Sequence, residues 1–531
     1  MDVKQVFSDV TEKLKGINIK SLAIYGSTVA GYAKPDSDVD VLILADNFKE
    51  KVRYFYFDSN LNKYSALVAD LNETYKDAEK ASLGEFVVGR LLNPFIPVYG
   101  DDIIRDVELR YKKRVVSEEI AELYKEFQDF SYYLIIPLQY FLFSKLKKRY
   151  QIYPPALYSY ARTYSKELIS KNLPVTLEGF KNAVLSLDYL YMDGDNVRIK
   201  KGVQIPQPFL IDEFYYFQLA IKQYLFHGRS GKVSPEVVIA EALSKVKRSR
   251  SIKDVNEYLK KPELLLSLEG GAKIIETNVE KETNAKLVER IGGILNPFYG
   301  IKIVEIDGKK YVVKSFKGKS ELKWYMLGIA GRPIKPFEMN PIKRMYNEFT
   351  GSLLLRNTGV KVQLIYAVSV RKKVLVKTFV QGKSLLDVIK NFSGKEEEVK
   401  ILEEVARTFK EMHDTDYALG DSKPENFLTA DEGIYIIDLE QFKEKANDED
   451  KGWDIAEYIY YSLFFIKDEH LANLFIESFK KGYGESREVY ETACSQKFSL
   501  PFLIMLRPDQ VTFYRGLMKK IFTGEEMIEN A

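Results

Sequence analysis

Two clusters of small and acidic residues, one toward each end of the chain, constrain its fold more than any other feature. In the stretch SLAIYGSTVAGYAKPDSDVDVLILAD, ten residues separate Gly26-Ser27 from Asp38-Val39-Asp40. Far downstream, Gly420-Asp421-Ser422-Lys423-Pro424-Glu425-Asn426 is followed by Ile436-Ile437-Asp438. Both clusters hold the residue types that handle metal ions and phosphate groups, in two unrelated arrangements. A chain with both needs separate cores, and at about 100–200 residues per domain its 531 residues suggest three units. The expectation is a multidomain α+β protein, with an α/β domain at 1–112, a helical domain and linker at 113–262, and a two-lobed domain at 263–531.

Bulk properties remove several classes. A hydrophobic fraction of 46% beside 29% charged residues is that of a folded globular chain. The net charge of +3 gives no support to a tRNA or RNA partner. A single cysteine, Cys494, can form neither an internal disulfide nor a zinc site alone, which points to a reducing, cytoplasmic setting. The most apolar segment, Tyr132 to Phe143, is interrupted by Pro137 and Gln139 and falls short of the roughly 18 residues a spanning helix needs, so no membrane partner is expected. Met1 to Lys20 is charged and amphipathic, unlike a signal peptide.

Local patterns place the clusters on elements. The run Leu22 to Tyr25 reads as a strand ending at Gly26-Ser27, Val39 to Leu44 as a second, and Tyr64 to Ala69 as a third that ends at Asp70. A short helix is expected near Thr28 to Tyr32. From Ser117 to about Leu225 the period becomes helical, with aromatics that serve as core. Residues 228–262 read as a connection whose basic run Lys245 to Arg250 is a solvated face. Strands return at Gly300 to Ile306 and Tyr311 to Phe316, joined by the turn dipeptide Asp307-Gly308. Beyond Leu385 the chain is mainly helical apart from strands around Asp438.

Nucleotidyl transfer needs amide donors for triphosphate oxygens and carboxylates for divalent metals. A Gly-Ser turn entering a helix meets the first need, and Asp38 and Asp40, two apart on a strand and so on one face, meet the second. Asp70, on the next strand, is the expected third ligand, with Glu73 and Asp77 as competitors. These residues resemble the signature of the DNA polymerase β-like superfamily, specifically its minimal nucleotidyltransferases: G-S, ten residues, D-x-D. The resemblance covers roughly residues 1–110 and implies phosphate contacts from Gly26 and Ser27, and Mg2+ ligation by Asp38, Asp40 and Asp70.

Phosphoryl transfer from ATP asks for a base, a metal clamp and a lysine on the phosphates. Asp421 has the base's position, Asn426 and Asp438 those of Mg2+ ligands, and Lys423 sits where it can neutralise the moving phosphate. The loop Asp421 to Asn426 resembles the D-L-K-P-E-N loop of eukaryotic-like protein kinases, with Ser422 in place of leucine and Leu419-Gly420 where the family has histidine and arginine. Asn347-Glu348-Phe349 ahead of Asn357-Thr358-Gly359-Val360 is similar to the RIO kinases and to the atypical kinase of the tRNA-threonylcarbamoylation complex. That resemblance covers about residues 270–531 and implies Lys314 as the phosphate lysine, Glu348 as its partner, and an insertion around Lys319 to Pro341. No G-x-G-x-x-G is present, and Gly292-Gly293 with Gly300 is the substitute. Leu439-Glu440 follows Asp438 as in aminoglycoside- and choline-type phosphotransferases, and Asp454 is expected to anchor the catalytic loop.

The reading that follows is an ATP- and Mg2+-dependent Ser/Thr protein kinase acting on a protein substrate, with an added nucleotidyltransferase domain using ATP or another nucleoside triphosphate. A small-molecule phosphotransferase is the first alternative. A nucleotide-sensing module without turnover is the second, disfavoured because such a module has no chemical need for Asp38, Asp40, Asp421 and Asp438 together.

Overall fold

The computed structural model describes residues 2–206 apart from 60–61 and 154–155, short pieces between 215 and 274, residues 300–316 apart from 307, and residues 337–525 apart from 371–372. The chain is a mixed α/β multidomain protein with two compact units, Met1–Glu126 with Ser131–Leu265 and Phe127–Phe130 with Leu266–Ala531. The expected boundary at 112 falls inside an unbroken helix, α4 (Asp101–Phe127). The sheet domain and the helical middle belong to one unit.

In that first unit, five strands lie in the order β3-β4-β2-β1-β5: β1 (Ile19–Tyr25), β2 (Val39–Ala45), β3 (Val52–Asp58), β4 (Lys63–Asp70) and β5 (Ile96–Tyr99). Alternation along each strand divides the residues between two faces. Leu22, Ile24, Val41, Ile43, Ala66 and Val68 pack on one face with Val6, Val10 and Leu14, which come from α1 (Val3–Lys13) and its C-cap. The complementary positions, including Tyr25, Asp40 and Ser65, share the other face. A one-turn helix, α2 (Ser27–Ala30), follows β1, and α3 (Leu71–Lys80) follows β4.

The helical middle is tied to the sheet by buried charge. Glu85 pairs with Arg114 of α4 at 2.7 Å, and with Lys145 at 2.6 Å and Arg149 at 2.8 Å, both on α5 (Gln139–Ile152). Glu118 adds contacts to Arg114 and Lys145 at 2.6 and 3.2 Å. Burial opposes ionisation of Glu85, but the three cations outweigh it and hold its carboxyl well below the ordinary range. Removing one member of such a set leaves an uncompensated buried charge. The unit continues through α6 (Ala156–Thr163) and α7 (Ile169–Leu185), and the hairpin Leu190–Asp193/Asn196–Ile199 interrupts the expected all-helical run.

In the second unit, Gly300–Ile306 and Lys309–Ser315 pair antiparallel in a five-stranded sheet that also holds Val374–Thr378, Ile365–Ser369 and Lys273–Ile274. Asp307 and the region 317–336, where an insertion is expected, lie outside the described residues, as does the expected connection at 228–262. The helix Pro341–Thr358 is capped by Asn340, which accepts from the Ile342 and Lys343 amides. A helical core built on Phe409, Tyr458, Phe475 and Phe479 comes from Glu396–His413, Asp448–Leu463 and Glu469–Tyr483. No helix among the described residues is long and apolar enough to cross a membrane.

Candidate functional site

At the end of β1, Gly26 adopts φ +77° and stands so close to β2 that a Cβ there would run into Asp40 Oδ2. Only glycine fits, for both reasons. The Gly-Ser turn is thereby pressed against the acidic pair, as the sequence spacing suggests. Asp38 immediately precedes β2 and Asp40 lies on it; both are partly exposed, and their carboxylate oxygens are the hard donors Mg2+ takes. Across the sheet, register aligns Tyr25, Asp40, Ser65 and Tyr56 in one row. Arg90 donates to the Tyr25 hydroxyl at 3.2 Å and the Tyr54 hydroxyl at 2.6 Å, with its guanidinium 4.5 Å from the centre of the Phe86 ring. Burial raises the Tyr25 phenol well above its ordinary value, with Tyr54 and Asp40 adding to the effect and Arg90 opposing it.

Asp70 does not join this pair. It lies in register with Ala45, at the far end of the strand pair from Asp40. Its Oδ1 accepts from the Asn72 and Glu73 amides at 3.0 and 3.1 Å, and its Oδ2 from the Phe48 amide at 2.9 Å, so it is the N-cap of α3. The competitors are also engaged. Glu73 pairs with Lys51 and Lys76, and buried Asp77 accepts the amides of Leu83, Glu85, Val87 and Val88.

The second unit brings together residues from four distant segments. Lys314 Nζ lies 2.6 Å from Glu348, 3.0 Å from Asp438 and 2.9 Å from Glu440. Oxygens of these three carboxylates approach within 4.8 Å of one another. Burial works against the Lys314 ammonium, yet the carboxylates hold its pKa well above the ordinary lysine value. Burial also acts on Asp438, where Lys314 and Lys377 prevail and lower the pKa. At Glu440 burial prevails, reinforced by Asp438, and raises it. Three members of this cluster, Glu440, Arg344 and Lys377, are not among the site residues expected from sequence. Glu440 stands two residues after Asp438 and bonds Arg344 as well, whereas Lys377 bonds Glu348 and, at 2.7 Å, the Ile437 carbonyl.

The loop carrying Asp421 is held from beneath. Asp454 accepts the Leu419 and Gly420 amides at 2.6 and 2.8 Å, and Glu457 accepts the Ser422 amide at 2.7 Å. Gly420, at φ +73°, passes so near the Gln441 carbonyl that a side chain is excluded. Lys423 Nζ reaches Asp421 at 2.6 Å; burial disfavours its charge, but Glu457 and Asp421 raise its pKa. Asn426 donates to the Asp421 carbonyl at 2.9 Å and accepts, through its own carbonyl, the amide of Ile437, which places it beside Asp438. Gly300 begins a strand opposite Ser315, and Gly292 and Gly293 lie outside the described residues.

Comparison with known proteins bears on the first of these sites. Residues 3–93 match the model of the family described as nucleotidyltransferase domain. The chain therefore has an N-terminal nucleotidyltransferase domain, and with it the chemistry class of a transferase. No curated protein matches the chain.

Proposed function

We propose that the second unit transfers the γ-phosphate of ATP, and that the first binds a nucleoside triphosphate at the Gly26-Ser27 turn with Asp38 and Asp40. The observation that carries the phosphotransferase reading is the convergence of Lys314, Glu348 and Asp438 beside the anchored loop Asp421 to Asn426. Such a set has a use in holding ATP, and no single helix or sheet requires it. In this reading Lys314, oriented by Glu348, binds the α and β phosphates. Asn426 and Asp438 would hold Mg2+, which supplies positive charge on the phosphates when bound. The acceptor oxygen bonds to the γ-phosphorus as the bond to the bridging oxygen breaks, ADP leaves, and Asp421 receives the acceptor's proton. Lys423 offsets charge on the phosphate in transit.

The acceptor separates two readings. A protein serine or threonine rests on the resemblance to the atypical kinases. A small hydroxylated molecule is favoured by the path after Asp438: the helix Asp448–Leu463 begins almost at once, and the intervening Lys443–Glu444 is paired with Tyr417–Ala418. That short path leaves little loop on which an extended peptide could lie.

The test is Asp421→Asn, which keeps size and removes the base. Transfer of label from γ-labelled ATP is expected to fall about 100-fold or more. Undiminished transfer overturns the reading.

A further inference from the structure

The resemblance of the first domain calls for a third carboxylate on the strand beside β2, and the register identifies the side chain that occupies its place. β4 runs parallel to β2 with Asp40 opposite Ser65. Residues so paired share a face about 4.8 Å apart, so a ligand for the Asp38–Asp40 site from β4 would come from position 65. That residue is a serine, 3% exposed, and the next position on the same face is Leu67. Asp70 is about 16 Å further along the strand and occupied as a helix cap. On β3, Asp58 shares a face with Tyr56, but it is exposed and about 10 Å away, two strands out from β2. Asp36 is exposed in the turn ahead of the pair. The row through Asp40 is closed on its other flank by Tyr25, whose hydroxyl is held by Arg90.

From this we infer that the N-terminal site takes one divalent cation, carried in on the phosphates of the nucleotide, and that the described residues provide no seat for a second. The inference rests on the reading that this site binds a nucleoside triphosphate. A magnesium-type cation needs about six oxygen ligands. One that is already chelated by a triphosphate gains enough from Asp38 and Asp40. A second, placed a few ångströms away, would share those same two carboxylates, meet the repulsion of the first, and find a neutral, buried hydroxyl at Ser65 where a further negative ligand is needed. The donor set thus fits one cation and does not fit a pair.

The experiment counts metal and nucleotide separately on the full chain. Mn2+ is titrated in the presence of saturating α,β-methylene-ATP, free Mn2+ is read by its paramagnetic resonance signal, and bound nucleotide is measured on the same samples. Subtracting the counts for Asp38→Asn/Asp40→Asn removes the contribution of the second unit. The native chain is expected to exceed the double variant by one Mn2+ and one nucleotide. Ser65→Asp is expected to raise the metal difference to two with the nucleotide difference unchanged. A difference of two in the native chain overturns the inference while leaving nucleotide binding intact. An unchanged count in a Ser65→Asp chain that melts like the native also overturns it. No nucleotide difference at all overturns the nucleotide-binding reading and the inference with it. If Ser65→Asp does not fold, the native difference alone decides.

Discussion

Lys314 faces three carboxylates, and Lys377 and Arg344 bring the buried cations of that cluster to the same number. Lys377 is 3% exposed and touches both Glu348 and the carbonyl just before Asp438, so it holds the helix Pro341–Thr358 against the strand that delivers the carboxylate. Lys377→Met should therefore cost about 3–5 kcal/mol in chemical unfolding of the second unit, the usual scale for breaking a buried pair. A loss below about 1 kcal/mol shows that Glu348 finds another partner. Asp70→Ala supplies a contrasting case: it removes a helix cap, so stability should fall by about 1 kcal/mol while magnesium-dependent nucleotide binding by calorimetry stays at the native value. These residues also show what the sequence made legible. The placement of Asp38 and Asp40 beside the Gly26-Ser27 turn, and of Asp438 beside the loop that carries Asp421, is legible because spacing couples each to a turn or to a neighbouring strand. Asp70 was misassigned because an aspartate at a strand end serves equally as an N-cap, and Glu73 three residues on was the available signal of a capping pattern. Lys377 gave no local sign, since its carboxylate partner is 29 residues earlier and on a different element.

Among the elements, β4 shows how register turns a pattern into a site. Its position is legible as the apolar run Tyr64 to Ala69, but its parallel pairing to β2 is not, and that pairing sets Ser65 beside Asp40. β3 and β5 were missed for local reasons: β3 is rich in aromatics on both faces, and β5 is a four-residue strand containing Pro97. One residue earlier on β4, Tyr64 is 1% exposed and donates to Asp9 of α1 at 2.7 Å, which locks that helix to the sheet. Burial, followed by the bond to Asp9, raises the Tyr64 pKa from 10.0 to about 12. In the unfolded chain the phenol ionises near pH 10, while in the folded chain it keeps its proton to about pH 12. The stabilisation is thus fully present below pH 10 and lost as pH rises through about 12. Tyr64→Phe should cost about 1–2 kcal/mol at pH 8 through the bond lost to the Asp9 carboxylate, which keeps Gln5 as a donor, and the difference from the native protein should shrink between pH 10 and 12 in urea unfolding. A gap that stays constant across that window assigns the shift to other tyrosines.

At the scale of the whole molecule, the sheet domain and the helical middle fall in one compact unit, where the ion cluster around Glu85 joins them through residues whose pairing no local pattern reveals. The charged partners described at each site lie within its own unit: Tyr25, Asp38, Asp40 and Arg90 in the first, and Lys314, Glu348, Lys377, Asp421, Asp438 and Asp454 in the second. Groups that share no partners contribute additively, so substitutions at one site should leave the other at its native value. In the full chain, Asp38→Asn/Asp40→Asn is expected to lose the N-terminal nucleotide and to keep γ-phosphoryl transfer within about twofold. Asp421→Asn is expected to do the reverse, and the triple variant to lose both with no excess destabilisation. Nucleotide counted by equilibrium dialysis and label followed from γ-labelled ATP report the two sites separately. If the Asp38→Asn/Asp40→Asn chain is well folded but transfers no γ-phosphate, additivity fails. The nucleotide held by the first unit then controls the second, and the free energy of that coupling is given by the change in ATP affinity at the second unit between the native chain and the double variant.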